Sequence, residues 1–240
     1  MLDTQIHETV MKRILREIYQ HQQLQSQLVF KGGTCLYFFY DLPRFSTDLD
    51  FSFHQQADVE QVPRVDLAKI VSQNLEIKRD EDKRFTWLWI GSFDKGKQKV
   101  KVEVNKRRFS DTYTEHEFYG LTVRSLDLQS MFAHKLCAVT DRKKLVNRDL
   151  YDTWWLLTKN VAINNQIVQE RTGQSVADYL LVVKSYIRKN VSHSHVLQGL
   201  GEVLAEPQKD WARDHLLDEL FFELELRIEV ERGGGRNYPG

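Results

Sequence analysis

The sequence predicts an α/β (α+β) domain with a mixed sheet, followed by a helical domain. Three observations carry this reading. Up to about residue 124, short apolar runs and alternating segments are interleaved with helical ones. From about Ser125 to Arg232, apolar residues recur almost throughout at i, i+3, i+4 and i+7. The change happens once, with no internal repeats or low-complexity tracts, so a layered half gives way to a bundled half. The 240 residues, 41% hydrophobic and 28% charged, suffice for one large domain or two small ones sharing a core. The expected division is 1–124 for the first domain, 125–232 for the helical domain and 233–240, "GGGRNYPG", for a flexible tail.

Residues 3–26 read as an amphipathic helix, with Ile6, Val10, Ile14 and Ile18 on one face and Asp3 or Thr4 as its cap. "LVFKGGTCLYFFYDLP" then gives a short apolar strand, a Gly-Gly break and an apolar helix ended by Pro43. The strand "TDLDFSF" follows, and a polar loop carrying Pro63 leads to a helix from Val65 to Asn74. "FTWLWIGSF" and "KQKVKVEVNKRR" alternate, and the turn "DKGK" between them predicts a hairpin. Trp87 and Trp89 alternate with Leu88 and Ile90, so both faces are apolar and core packing explains the tryptophans. "YGLTVRSL" is a further strand. Helices are expected near 126–141, 148–159, 175–189 and 208–231.

Thirty-four basic residues balance thirty-four acidic ones, so no global field draws the chain to nucleic acid. An RNA partner would need a local patch, and "NKRRF" (105–109) and "DRKKLVNR" (141–148) are the basic clusters available. Cys35 and Cys137 sit among apolar neighbours without C-x-x-C spacing, as reduced core residues of a cytoplasmic protein do. The charged N-terminus does not read as a signal peptide, and no stretch approaches the roughly 18 uncharged residues of a membrane span. His193 and His195 in "SHSH" have no further ligand near them in sequence.

Three features of the first half concern chemistry. "KGGT" (31–34) follows a strand and opens a helix. Gly32 and Gly33 allow close backbone approach, the helix N-terminus offers free N–H groups to phosphate oxygens, and Thr34 adds a hydroxyl donor. A plain tight turn is the alternative. In "TDLDFSF", the strand period of two puts Asp48, Asp50 and Ser52 on one face and Leu49, Phe51 and Phe53 on the other. Carboxylates two residues apart, about 7 Å at their α-carbons, repel unless a proton or cation lies between them. A wet acidic face is the alternative. In "KVKVEVN", Lys101, Glu103 and Asn105 share one face. If this strand neighbours the aspartate strand in register, Glu103 becomes a third carboxylate. Such an oxygen-only set suits Mg²⁺ or Mn²⁺ and two-ion phosphoryl transfer, with Glu103 as third ligand or as base.

"GGTCL" (32–36) followed by "RFSTDLDF" (44–51) resembles the nucleotidyltransferase superfamily, specifically the AbiEii/AbiGii toxin family. The resemblance continues in "AHKL", with Lys135, and "RDLYD", with Arg148, Asp149 and Asp152. It departs mildly at Cys35, where the family has a small residue. The resemblance implies a nucleotidyltransferase-type fold with the active site in a cleft completed by the helical domain. It implies transfer of a nucleoside monophosphate from an NTP to an acceptor hydroxyl, with release of pyrophosphate. Asp48, Asp50 and Glu103 would then hold the metal, while Gly32, Gly33, Thr34, Arg44, Ser46 and Lys135 surround the triphosphate. Arg148, Asp149 and Asp152 would hold the lysine or the nucleotide. The acceptor would be RNA, plausibly tRNA, and the protein a toxin of a toxin–antitoxin or phage-defence (abortive infection) pair with an antitoxin partner. Two alternatives remain: the same chemistry on a protein or small-molecule acceptor, and a binding module without turnover.

Overall fold

The computed structural model describes residues 3–94, 98–141 and 145–233. The expected hairpin turn at 95–97, residues 142–144 of the second basic cluster and residues 234–240 of the tail lie outside the described residues. By its contacts the chain forms two compact units, residues 1–127 and 128–240.

The first unit opens with α1 (Thr4–Gln20), where the Asp3 side chain accepts from the Ile6 N–H. Its buried stripe is His7, Met11, Ile14, Leu15, Ile18 and Tyr19, whereas Ile6 is 46% exposed. The apolar face is therefore rotated from the expected one. The expected single helix also breaks at His21, whose extended backbone ends α1 while its ring caps α2 (Gln22–Gln27).

Then come β1 (Leu28–Lys31), α3 (Gly32–Phe39), β2 (Asp48–Phe53), α4 (Arg64–Asn74), β3 (Glu76–Lys83), β4 (Thr86–Phe93), β5 (Gln98–Asn105), β6 (Tyr113–Phe118) and β7 (Leu121–Leu126). Helix α3 stops at Phe39, four residues before Pro43. Among the described residues these seven strands form one sheet in the order β3-β4-β5-β2-β1-β7-β6. The β2–β5 and β1–β7 pairs are parallel and the others antiparallel, so the sheet is mixed as predicted.

Two strands were not foreseen. β3, "EIKRDEDK", is almost wholly charged, yet it pairs along β4 as an edge. Arg64 bridges to its Asp80 and Asp82, and charge on an edge blocks further strand pairing. β6 joins β7 through Tyr119 and Gly120, both at positive φ, the geometry of a two-residue hairpin turn. As expected, Trp87 and Trp89 are buried; Lys106 and Arg64 lie over their respective rings.

The second unit is helical: α5 (Leu128–Asp141), α6 (Asn147–Thr158), α7 (Asn165–Thr172), α8 (Val176–Asn190) and α9 (Glu206–Glu231). The short α7 was not expected; Asn164 caps its start and Gly173, at φ 73°, ends it. Helix α5 packs on α6, α7 and α8, and α9 packs on α6 and α8. Among the described residues, no helix is long and apolar enough to cross a membrane.

Candidate active site

The central strand pair sets the first group of side chains. β2 and β5 run parallel with Asp48 opposite Lys101 and Asp50 opposite Glu103. Each strand buries its alternate residues, Leu49 and Phe51 in β2 and Val100, Val102 and Val104 in β5. The period of two therefore turns Asp48, Asp50, Lys101 and Glu103 to one shared face.

At the middle of that face stands the Lys101 ammonium. Its Nζ lies 3.1 Å from Glu103 Oε2, 3.2 Å from Asp50 Oδ1 and 3.7 Å from Asp48 Oδ2. The charge of Asp50 first, then those of Asp48 and Glu103, hold this ammonium above the ordinary lysine range, outweighing its partial burial. Lys101 thus stays protonated across the neutral range. Sequence reasoning placed Lys101 on the face of Glu103 but gave it no role. The available signal was its spacing: in "KVEV", i and i+2 share a face.

The loop and glycines before β2 shape this group. Gly32 has φ 83°, and a β-carbon there would stand 2.7 Å from Asp50 Oδ2. A β-carbon on Gly33 would stand 2.8 Å from an Arg44 nitrogen and 2.9 Å from Ser46 Oγ. The two glycines thus let β2 and its preceding loop pack against the start of α3. Arg44 and Ser46 are both nearly fully buried there, and Arg44 Nη1 donates to the Phe45 carbonyl at 2.9 Å. The Thr34 hydroxyl donates to the Asp48 carbonyl, tying α3 to the first residue of β2. At the near end of the loop, the buried His7 ring meets the Thr47 carbonyl through Nε2 at 3.0 Å and packs edge-on to Phe45 and Phe93.

The second unit holds a separate charged group. Lys135, on α5, reaches Asp152 Oδ2 at 2.7 Å and Asp149 Oδ1 at 3.2 Å. The i, i+3 spacing brings both aspartates to one face of α6. Asp152 is fully buried and Asp149 nearly so, which makes the nearby cation electrostatically favourable to both. Asp149 also lies in the first turn of α6, where the helix dipole favours an anion. Arg148 lies half-buried beside it.

The donor chemistry of the first group fits a hard divalent ion: three carboxylates whose oxygens surround one cationic nitrogen. The Lys101 ammonium stands among those side chains. Among the described residues, no group of three or more His, Cys, Asp or Glu stands in a metal-holding arrangement. His193 and His195 are exposed, and His195 Nδ1 meets the Ser192 hydroxyl at 2.8 Å.

Comparison with known proteins gives the fold and the family. The chain is similar to a structure named as a candidate nucleotidyltransferase from H. pylori, at 18% identity and a TM-score of 0.61, covering 99% of this chain and 100% of that one. It is also similar to JHP933 from Helicobacter pylori, at 18% identity and a TM-score of 0.54, covering 98% and 99%. At these identities the likeness establishes the fold. No curated protein is significantly similar in sequence. The sequence profile described as "Nucleotidyl transferase AbiEii toxin, Type IV TA system" matches residues 13–226, which span both charged groups. The chain therefore belongs to the AbiEii nucleotidyltransferase toxin family of type IV toxin–antitoxin systems.

Proposed function

We propose that this protein transfers a nucleoside monophosphate from an NTP to an acceptor hydroxyl, and that the acceptor is RNA, with tRNA the first candidate. The observation that supports this best is the register of β2 and β5, which turns Asp48, Asp50 and Glu103 to one face around a cation. Those three carboxylates would hold Mg²⁺ or Mn²⁺. When bound, the metal supplies charge neutralisation to the α-phosphate and to the leaving pyrophosphate.

The chain's own groups have the remaining tasks. The acceptor oxygen attacks the α-phosphorus, a new P–O bond forms, and the bond to the β-phosphate oxygen breaks. Glu103 takes the proton from the attacking hydroxyl. Lys135, oriented by Asp149 and Asp152, binds triphosphate oxygens, and Arg148 adds a second cation for the nucleotide. The start of α3 at Gly32 and Gly33 offers backbone N–H groups suited to phosphate oxygens. Arg44, Ser46 and Thr34 shape that turn, since the hydroxyl of Thr34 is donated to the Asp48 carbonyl and Arg44 and Ser46 pack on Gly33. By family, the protein is a toxin of a type IV toxin–antitoxin system, which implies an antitoxin partner; the proposed reaction would take place in the cytoplasm.

The acceptor is tested by supplying each α-³²P-labelled NTP with Mg²⁺ and, separately, total tRNA, cell protein and small-molecule acceptors. Label is expected on tRNA with one NTP. Label on protein or a small molecule alone would overturn the RNA assignment, and NTP binding without turnover would overturn the enzyme.

A further inference from the structure

Lys101 is an odd occupant for a face that is to receive a divalent ion. The ammonium stands within 3.7 Å of an oxygen of each of the three carboxylates and offsets part of their charge. The strand register brings it there: Lys101 is paired directly opposite Asp48 and lies two residues before Glu103 on the same face of β5. A lysine ammonium is a compact cation on a four-carbon stem with several rotatable bonds, so it can swing away as a fixed backbone dipole cannot. Its side chain is 30% exposed, which leaves room for that swing.

We propose that Lys101 is a resident counter-ion that a divalent cation displaces, so that metal enters the carboxylate face only in competition with the chain's own ammonium. This rests on the metal-dependent reading above. Lys101 lowers the mutual repulsion of Asp48, Asp50 and Glu103 in the metal-free chain. The metal must then move Lys101 aside and draw the three carboxylates inward. Once displaced, the ammonium is a mobile cation beside the site, available to the phosphates that a metal–nucleotide complex brings with it. Metal alone therefore binds weakly, and metal with nucleotide binds well.

The test is Mn²⁺ binding without nucleotide, read from the electron paramagnetic resonance signal of free Mn²⁺, for the full chain and for Lys101→Met, Lys101→Arg and Asp48→Ala. The expectation is that Lys101→Met binds Mn²⁺ at least about tenfold more tightly, because a cation a few ångströms from the ligand oxygens is removed. Lys101→Arg keeps the wild-type affinity, and Asp48→Ala binds more weakly. Lys101→Met should also lose thermal stability in EDTA and regain it on addition of Mg²⁺, a recovery that a merely structural lysine would not show. Equal or weaker binding by Lys101→Met, with binding still dependent on Asp48, overturns the counter-ion role and leaves the metal-dependent reading standing. No Asp48-dependent binding in any variant overturns both. Should Lys101→Met not fold, acetylation of Lys101 in the wild type, followed by peptide mass spectrometry, decides. Mg²⁺ should raise it several-fold, and an unchanged rate overturns the displacement.

Discussion

The carboxylate of Asp50 packs on the bare α-carbon of Gly32: a β-carbon at position 32 would stand 2.7 Å from Asp50 Oδ2. With φ at 83°, Gly32 also occupies backbone space that a side chain disfavours. Gly32→Ala therefore carries two penalties, strain and collision. It should lower stability by about 1–3 kcal/mol and push Asp50 from its place beside Lys101, with most of the activity lost. Thermal unfolding together with NTP turnover checks this. An alanine variant with wild-type melting temperature and rate would show that the glycine is not needed there.

Lys135 stands between two carboxylates that solvent hardly reaches. Lys135→Met leaves both without their shared cation, and breaking such a buried arrangement from one side costs about 3–5 kcal/mol. Adding Asp152→Asn to that variant should recover part of the loss, because one buried charge is then removed as well. Urea unfolding of the single and double variants measures both. A loss under about 1 kcal/mol for Lys135→Met would contradict the assigned burden.

His116 on β6 stacks flat on Phe39 at 4.3 Å and meets Tyr40 edge-on, with Nε2 3.0 Å from Ser125 Oγ. Burial pushes its pKa below the ordinary 6.5. A folded-state pKa below the unfolded value means the neutral ring stabilises the fold above about pH 6.5. That contribution is lost as pH falls through the lowered value. An NMR titration of the His116 ring should show a midpoint below 6.5; a midpoint at or above it would contradict the burial argument.

How far the sequence carried can be seen in particular residues. The alternation in "TDLDFSF" and "KVKVEVN" was enough to put Asp48, Asp50 and Glu103 on chosen faces, because period two follows from strand geometry alone. The parallel pairing that sets Asp50 opposite Glu103 joins strands about fifty residues apart, and no local pattern encodes it. Lys101 was visible on the Glu103 face, but a lone lysine there reads as solvated until the neighbouring strand supplies its partners. β3 was invisible for a related reason: its charges are tolerated only because it is an edge whose Asp80 and Asp82 meet Arg64 from α4. The rotated face of α1 reflects tertiary choice, with His7 buried between Phe45 and Phe93 in place of Ile6. The i, i+3 aspartates of "RDLYD" were legible because helix geometry is local, and Lys135 is where that spacing needs a cation.

The most direct measurement is pyrophosphate release from NTP with Mg²⁺ and tRNA present, comparing the wild type with Asp48→Ala and with EDTA-treated protein, each first shown to be folded by circular dichroism. Asp48 belongs to the carboxylate group around Lys101, and its backbone carbonyl anchors Thr34, so a side-chain change alone should spare the fold. The account predicts release by the wild type, loss by at least about a hundredfold in Asp48→Ala, and loss on EDTA reversed by Mg²⁺. Release by folded Asp48→Ala at the wild-type rate, or release indifferent to EDTA, would contradict it.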